Sequence, residues 1–494
     1  MKKRFFAQFL IFCLFFALCA CIPVSADTWN GTRAKGFAGG SGTSTDPYRI
    51  ETAEQLAFLA KDVKDGNQYR GKYLQLSADI VLNDPGAAIP NEWTPIGDPS
   101  HLFMGNFDGN GKTISGLYIK KKMSASAESY GLFGNVKRAK ISNLILDDVY
   151  LDITTASTST TTSLYVGALC GYVDNSEIRN VRVTAEIVVT RDQNTFVGGL
   201  VGRSEEVSTI SFVETNGSVL VNTTKVNTSN STVGGVVGRL SGLSKISGAI
   251  NNCTVTGGGD VGGLAGIAGG GEMPAYIENA INTAAIKGDL YVGGLIGRAG
   301  HVSEGYAQDC LNAGQVSKTD TFEDAAFIGT LCGVVKEVFY LTNCKYVVFD
   351  AEQPLYSVFT EGTDNGVKEN ISPISLEDAK GNDALQNLGF SDEIWRATED
   401  GFPVFNPEAL LNKTEEETTS LPETGDPDTS DQEPQTNAPK TQESVTTSPR
   451  ATGTTADPKT TDREKGCASV LGANLAVMIL LTGCAGMLLH RKKD

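Results

Sequence analysis

Histidine is almost missing from this chain. Only His101, His301 and His490 occur in 494 residues, scattered and without a His-Glu-x-x-His pair. A zinc centre of ordinary ligand spacing is therefore not expected. Positive charge is also in short supply: 41 Lys and Arg against 58 Asp and Glu give a net charge of −17. Loss of Lys2, Lys3 and Arg4 would deepen that to −20. Nucleic acid is excluded as a partner, because its binding depends on cations that neutralise phosphate. Glycine is plentiful, at 55 residues, but lacks the Gly-X-Y period, which excludes collagen. Cysteine is sparse in the body of the chain, where Cys170, Cys253, Cys310, Cys332 and Cys344 make an odd set of five. No disulfide framework is implied, and these residues read as small buried hydrophobes, with Cys253, Cys310 and Cys344 in similar repeat positions. No phosphate loop is present, since the block at Phe103–Leu117 has Asn106 where that motif needs glycine. Asp108-Gly-Asn-Gly111 reads as a tight turn, with too few carboxylates for a calcium loop.

What the chain does have is a repeat. Tyr130-Gly-Leu-Phe-Gly134 is the first copy, followed by Val166-Gly-Ala-Leu-Cys-Gly171, Val197-Gly-Gly-Leu-Val-Gly202 and Val233-Gly-Gly-Val-Val-Gly238. Val261-Gly-Gly-Leu-Ala-Gly266, Val292-Gly-Gly-Leu-Ile-Gly297 and Ile328-Gly-Thr-Leu-Cys-Gly333 complete the series. The closing glycines stand 37, 31, 36, 28, 31 and 36 residues apart. Self-similarity at this period signals a solenoid or a propeller. A solenoid grows by stacking rungs on one core, so the chain length does not require several domains. Propeller blades usually need about 40 to 45 residues, which leaves a parallel β-helix as the better fit. A second strand follows each glycine strand, as in Ile141-Ser-Asn-Leu144, Ile178-Arg-Asn-Val181, Ile250-Asn-Asn-Cys253 and Leu341-Thr-Asn-Cys344. Stacked asparagines at such turns form amide ladders; Ile210-Ser-Phe-Val213 lacks the residue.

The flanks of the repeat supply an order of domains. Residues 1–26 read as a signal peptide: a basic start, an apolar run and a Val24-Ser25-Ala26 cleavage site. A lipoprotein cysteine at Cys21 is the alternative. Residues 27–129 read as an N-terminal cap and first coils. Within them Thr52 and Gln55 make a capping box, and Leu56, Leu59, Ala60 and Val63 share one face of a helix that Gly66 ends. That helix is expected to cover one end of the solenoid core. Residues 130–350 carry the repeats, and the Thr154–Ser163 insertion is a loop. Residues 351–410 are expected to be C-terminal coils and a cap, with a helix at Ser375–Leu388. There Trp395 and Gly401-Phe-Pro-Val-Phe405 would plug the last coil. Residues 411–466, rich in Thr, Ser, Pro and Glu, read as a disordered stalk. Residues 467–489 form an apolar run of the length that spans a bilayer, and the basic tail at 490–494 places the bulk of the chain outside. Leu421-Pro-Glu-Thr-Gly425 matches a sortase signal, but the apolar run begins 42 residues later.

The repeated Gly-Gly-Leu-x-Gly unit resembles the GLUG motif of bacterial surface proteins. Asp46-Pro-Tyr-Arg-Ile50, Phe107-Asp-Gly-Asn-Gly-Lys-Thr-Ile114 and Gly401-Phe-Pro-Val-Phe405 resemble the flanks of that family. The resemblance implies a right-handed parallel β-helix with pectate-lyase-like architecture on a secreted or surface-attached protein, and it implies no activity. The expected fold is thus all-β: a solenoid with a short N-terminal capping helix, a stalk and one C-terminal transmembrane helix.

Candidate chemistry lies in three groups of residues. The carboxylates are Asp147, Asp148, Asp174, Glu205, Glu206, Asp260, Asp289, Glu304 and Asp309; they form no recognisable catalytic signature and read as a solvated face. Arg203, Arg239 and Arg298 each follow a closing glycine, and Arg203 and Arg239 should stack at about 5 Å, either as a solvated edge or as a cradle for an acidic glycan. Tyr130, Tyr165, Phe196, Tyr291 and Phe327 near the motif start either pack the core or stack against sugar rings. No catalytic residue, cofactor or metal ligand is assigned, and the binding residues stay unassigned. The expectation is a non-catalytic protein of the bacterial cell surface, held by its C-terminal helix, with an extracellular glycan or a host or matrix protein as partner. A polysaccharide lyase or glycoside hydrolase on the same scaffold, and a structural spacer of the envelope, are the alternatives.

Overall fold

The computed structural model describes residues 28–411, apart from 124–127, 156–161, 193, 224–230, 270–272, 301–303, 320–326, 337, 350–355 and 361–367. The expected signal peptide, most of the Thr/Ser insertion, His301, the sortase-like segment, the stalk, the apolar span and the basic tail lie outside the described residues. No helix among the described residues is long and apolar enough to cross a membrane.

The repeats form a parallel β-solenoid of about eight turns. The described strands make two large sheets of 17 and 14 strands. The first six glycine motifs each supply two short strands of the smaller sheet, for example Thr195–Gly198 and Val201–Glu205, bent at the intervening Gly199-Leu200, while the seventh lies in the single strand Phe327–Val335. The chain then crosses to the larger sheet, where Lys140–Thr155, Glu177–Thr190, Thr209–Asn222 and Lys245–Gly257 run in parallel register. Parallel pairing between successive repeats rules out propeller blades, whose strands are antiparallel neighbours within one repeat.

Between the walls lie columns of like residues. Val166, Val197, Val233, Val261 and Val292 stack in register on the glycine wall, all fully buried. Ile141, Ile178, Ile210, Ile246 and Ile277 do the same on the opposite wall. A single rung could not exclude water from these side chains; its neighbours above and below do.

Two asparagine columns hold the rungs in register. The first sits at a corner that demands positive φ, a conformation that asparagine tolerates better than most residues. Asn143, Asn180, Asn279, Asp309, Asn343 and Asn370 all have φ between 49° and 55°. Asn180 Nδ2 donates to Asn143 Oδ1 at 2.8 Å, and Asn143 Nδ2 donates to Asp108 Oδ1 at 3.0 Å. Asn370 Nδ2 donates to Asn343 Oδ1 at 2.8 Å. The second column is inside the core. Asn251 Nδ2 donates to Asn282 Oδ1 at 2.7 Å, and Asn282 Nδ2 to Asn312 Oδ1 at 2.8 Å, all three fully buried.

These columns revise the expected alignment of repeats. Ile246-Ser-Gly248, not Ile250-Asn-Asn252, is the register partner of Ile210-Ser-Phe212. Asn252 instead pairs with Asn216, and Cys253 with Gly217. Cys310 follows Ala280 in a different column, its thiol against that of Cys344. All five cysteines are buried free thiols, and burial pushes Cys253 up to about 12.

Helix α1 (Ala53–Lys64) caps the N-terminal end, as expected. Thr52 Oγ1 accepts from Gln55 N, and Gln55 Oε1 accepts from the backbone of Glu51. Leu56, Leu59 and Val63 are fully buried. Asp108-Gly-Asn-Gly111 is a corner within one long strand, Asn106–Ser115, rather than a turn between two, with Asn110 at φ 52°.

The C-terminal segment departs from expectation twice. The helix expected at Ser375–Leu388 is reduced to α2 (Ala384–Leu388), because Gly381 takes φ 80° and breaks the turn. Nor does Trp395 plug the end of the main core. It belongs to a separate cluster with Phe390 and Leu388, laid against Ile250, Ile281, Leu311 and Val347 on the outside of the larger sheet. The segment reaches back to the rungs of Arg179 and Phe212. Phe405 meets Phe212 edge-on at 5.4 Å, and α3 (Pro407–Leu411) carries the carbonyl of Ala409, which accepts from Arg179 Nη2 at 2.9 Å. It docks where the corner column is interrupted by Phe212 and Gly248.

Candidate anion-binding face

The side of the glycine wall turned away from the valine core gathers most of the charged and aromatic residues singled out in the sequence, and much of it is buried, Asp260 at 0% and Arg298 at 8% exposure. Two columns run along it. One reads Ser129, Tyr165, Phe196, Thr232, Asp260, Tyr291, Phe327. The other, on the second strand of each motif, reads Asn135, Tyr172, Arg203, Arg239, Ile267, Arg298, Val334. Alternation along a strand turns the valines inward and these residues outward.

The aromatic column is two pairs rather than an unbroken row. Tyr165 stacks on Phe196 at 5.3 Å, and Tyr291 on Phe327 at 5.4 Å. Thr232 and Asp260 separate them. Tyr130 is not in the column at all, since its register partner is Val166. Arginines cover these rings: Arg203 lies 5.3 Å from the Phe196 centroid and Arg298 5.3 Å from that of Tyr291. Lys336 approaches Tyr291 at 5.2 Å. Such cation–π contacts contribute about 0.5–2 kcal/mol each.

Arg203 and Arg239 are register neighbours, as expected. The next rung has Ile267 in the arginine column and Asp260 in the aromatic one. Arg298, one rung further, reaches back to Asp260 and grips it with two nitrogens, Nε to Oδ1 at 2.8 Å and Nη2 to Oδ2. Asp260 is fully buried, and burial raises its pKa from 3.8 to about 6, against the pull of Arg298. Arg239 is brought down to about 10 by burial first and then by Arg203 and Arg298 beside it.

At the N-terminal end of the strip, Lys137 Nζ pairs with Asp174 at 3.0 Å, and Asp174 is the register partner of Glu205. Glu205 accepts from both Arg203 and Tyr172. Burial, opposed by Arg203 and reinforced by Asp174, pushes Tyr172 up to about 12. Among the described residues, Lys137, Arg203, Arg239, Arg298 and Lys336 thus share this face with Asp174, Glu205 and Asp260.

The other acids are scattered. Asp147 and Asp148 are exposed, the latter at φ 51°. Glu206 is an exposed turn residue at φ 54°. Asp289 is raised by burial. Glu304 accepts from Tyr306 OH at 3.0 Å, and Asp309 accepts from Asn343 Nδ2 at 2.6 Å. Among the described residues no three His, Cys, Asp or Glu side chains come close enough to hold a metal. The sequence missed Tyr172, Lys336 and Lys137. Tyr172 was legible as the residue after a closing glycine, the position that carries Arg in three other repeats. It also missed a tyrosine ladder on the larger sheet, where Tyr276, Tyr306 and Tyr340 stack at 5.0 and 4.8 Å.

No family model matches the chain. Over 203 residues it is 30% identical to halomucin of Haloquadratum walsbyi, an alignment that covers 39% of this chain and 2% of halomucin. Over 139 residues it is 35% identical to a "Putative Gly-rich membrane protein" of Evansella cellulosilytica, covering 27% of this chain and 14% of that one. The chain therefore spans only a small part of the curated relatives it matches. Among solved structures, a "putative immunoglobulin A1 protease" from Bacteroides ovatus superposes with a TM-score of 0.45 at 19% identity, over 75% of this chain and 95% of the other. A second, titled "IgA1 Protease", gives 0.34 at 17% identity over 75% of this chain and 26% of the other. What this chain is similar to is thus a membrane protein and a halomucin in part of its length.

Proposed function

We propose that this protein is a non-catalytic, surface-displayed β-solenoid that binds an acidic glycan along the glycine wall. The observation that carries the reading is the row of Arg203, Arg239 and Arg298 beside stacked aromatics. Carboxylate or sulfate groups would meet guanidinium forks, while the apolar faces of sugar rings would meet Tyr165 and Tyr291. The repeated Gly-Gly-Leu-x-Gly unit supports kinship with GLUG-motif surface proteins and a right-handed coil. The expected signal, stalk and apolar span support a single-pass anchor with the solenoid outside the cell.

The test is a glycan array probed with the purified full-length chain, with each hit checked for cleavage. Acidic polysaccharides should be retained and neutral ones not, and Arg239→Ala should weaken retention at least tenfold. Neutral and acidic hits in equal measure, or retention indifferent to Arg239, would sink the reading; silence on all glycans would favour a spacer.

One observation favours a second reading. Lys137, Asp174, Glu205, Arg203 and Tyr172 converge on adjacent rungs, a density of acids and bases that a polysaccharide lyase or hydrolase would need. Release of shorter chains from an array hit, abolished by Glu205→Gln, would establish it.

A further inference from the structure

At the N-terminal cap, a cleft of about 370 Å³ opens between the Trp29–Arg33 segment and helix α1. A second of about 490 Å³ adjoins it, sharing Gly31, Arg33 and Lys61. The first lies in the size range of small-molecule sites. Its walls are held rigidly. Trp29 N donates to Val81 O at 3.0 Å, Asn91 Nδ2 donates to Trp29 O at 2.7 Å, and Ala34 N donates to Glu54 O at 2.9 Å. Gly31 bends the segment over the helix at φ 82°.

The lining has a definite chemical character. Trp29 and Trp93 meet edge-on at 5.8 Å, and both indole N–H groups are spent on backbone carbonyls, of Thr32 at 2.7 Å and Leu132 at 3.1 Å. They offer only carbon to the cleft. Helix α1 turns Leu56, Leu59 and Val63 to the solenoid core and gives the cleft Ala57 and Ala60, whose small side chains leave the space open. The rim carries Arg33, Lys61 and Lys64 against one acid, Glu92, which Lys121 already neutralises at 2.7 Å. Lys61 is paired with Asp65. Arg33 and Lys64 have no ion-pair partner among the described residues.

We infer that this cleft binds a carboxylated pyranose, a single uronic acid unit, with its C–H face on the Trp29–Ala57–Ala60 wall and its carboxylate between Arg33 and Lys64. The ring fits the volume, the carbon wall suits its apolar face, and the rim selects its charge. The inference extends the acidic-glycan reading to a second place on the molecule, where a chain end rather than a chain length would be held.

The test is titration of the full-length chain with glucuronate, galacturonate and glucose, followed by tryptophan fluorescence and calorimetry. A uronate should bind with a millimolar Kd and glucose at least tenfold more weakly. The exposed double substitution Arg33→Glu, Lys64→Glu should weaken uronate binding at least tenfold, and Ala57→Leu, which fills the floor, should do the same without a charge change. Equal binding of glucose, no binding of either uronate, or uronate binding unchanged in both Arg33→Glu, Lys64→Glu and Ala57→Leu would overturn the inference. Uronate binding that survives while the glycine wall proves unable to retain polymer would leave this site standing and remove the other.

Discussion

A Cβ placed on Gly294 would lie 2.1 Å from Asn312 Nδ2, on the far wall of the solenoid. The same relation holds one and two rungs earlier: a Cβ on Gly263 would meet Asn282 at 2.5 Å, and one on Gly235 would meet Asn251 at 2.3 Å. The second glycine of the motif is therefore the space into which the buried amide ladder fits. Where the ladder column holds Thr215, the facing Gly199 has its nearest side-chain contact at 3.5 Å. The ladder repays this space. Asn282 Nδ2 donates to Ala284 O at 3.0 Å as well as to Asn312, so each amide also closes a turn within its own rung.

Gly294→Ala should consequently be among the costliest single-methyl additions in the chain. The new methyl collides with the backbone oxygen of Thr330 at 2.2 Å as well as with Asn312, and backbone cannot swing aside. A loss of about 3 kcal/mol is expected, the upper part of the overpacking range. Thermal denaturation followed by circular dichroism measures it. Addition of Asn312→Ala should not restore stability, because the Thr330 contact remains. A melting temperature within a degree of the parent would refute the packing account.

Asp260 should make the glycine wall sensitive to pH. Its carboxyl titrates at about 6 in the folded chain against 3.8 ordinarily, because burial disfavours the charged form. The folded state thus holds this proton more tightly than the unfolded state. The group's contribution to stability is largest below about pH 4, falls as pH rises to about 6, and is constant above that. Protonation also removes the negative partner of Arg298. Retention of dextran sulfate, whose charge does not titrate in this range, should rise as pH drops from 7.5 to 5. Asp260→Asn should bind at pH 7.5 as the parent does at pH 5 and should lose the pH response. A response unchanged in Asp260→Asn would place the sensor elsewhere.

Arg179 fastens the C-terminal segment to the side of the solenoid. Its guanidinium donates to Ala409 O at 2.9 Å and Leu410 O at 3.3 Å, and lies 4.6 Å from the Phe212 ring centroid. Arg179→Ala should release the end of the segment at a cost of about 1–3 kcal/mol. The core columns do not involve this side chain, so the main melting transition should move little. Limited proteolysis should cut between 375 and 411 several-fold faster than in the parent. Equal cutting rates would mean that the Trp395 cluster alone holds the segment.

The sequence by itself determined the solenoid. A glycine motif recurring at 28 to 37 residues calls for repeated units packed on one another, because one rung cannot bury its own apolar face, and the short period favours a stacked β-helix over propeller blades. It also determined helix α1, whose capping residues and apolar stripe are local signals, and the stacking of Arg203 on Arg239, which follows from position within the motif. Tertiary structure decided the rest. The alignment of Ile246 rather than Ile250 with Ile210 depends on which backbone corners take positive φ; Phe212 was legible as the residue in asparagine's place, but Gly248 was not. The side-on docking of Trp395 depends on an apolar stripe, Ile250, Ile281 and Leu311, drawn from three separate repeats. The partnership of Arg298 with Asp260 depends on one rung lacking an arginine and the next reaching back to fill the gap. These relations join residues 36 or more apart in sequence but neighbouring in space, and only the stacked fold brings them together.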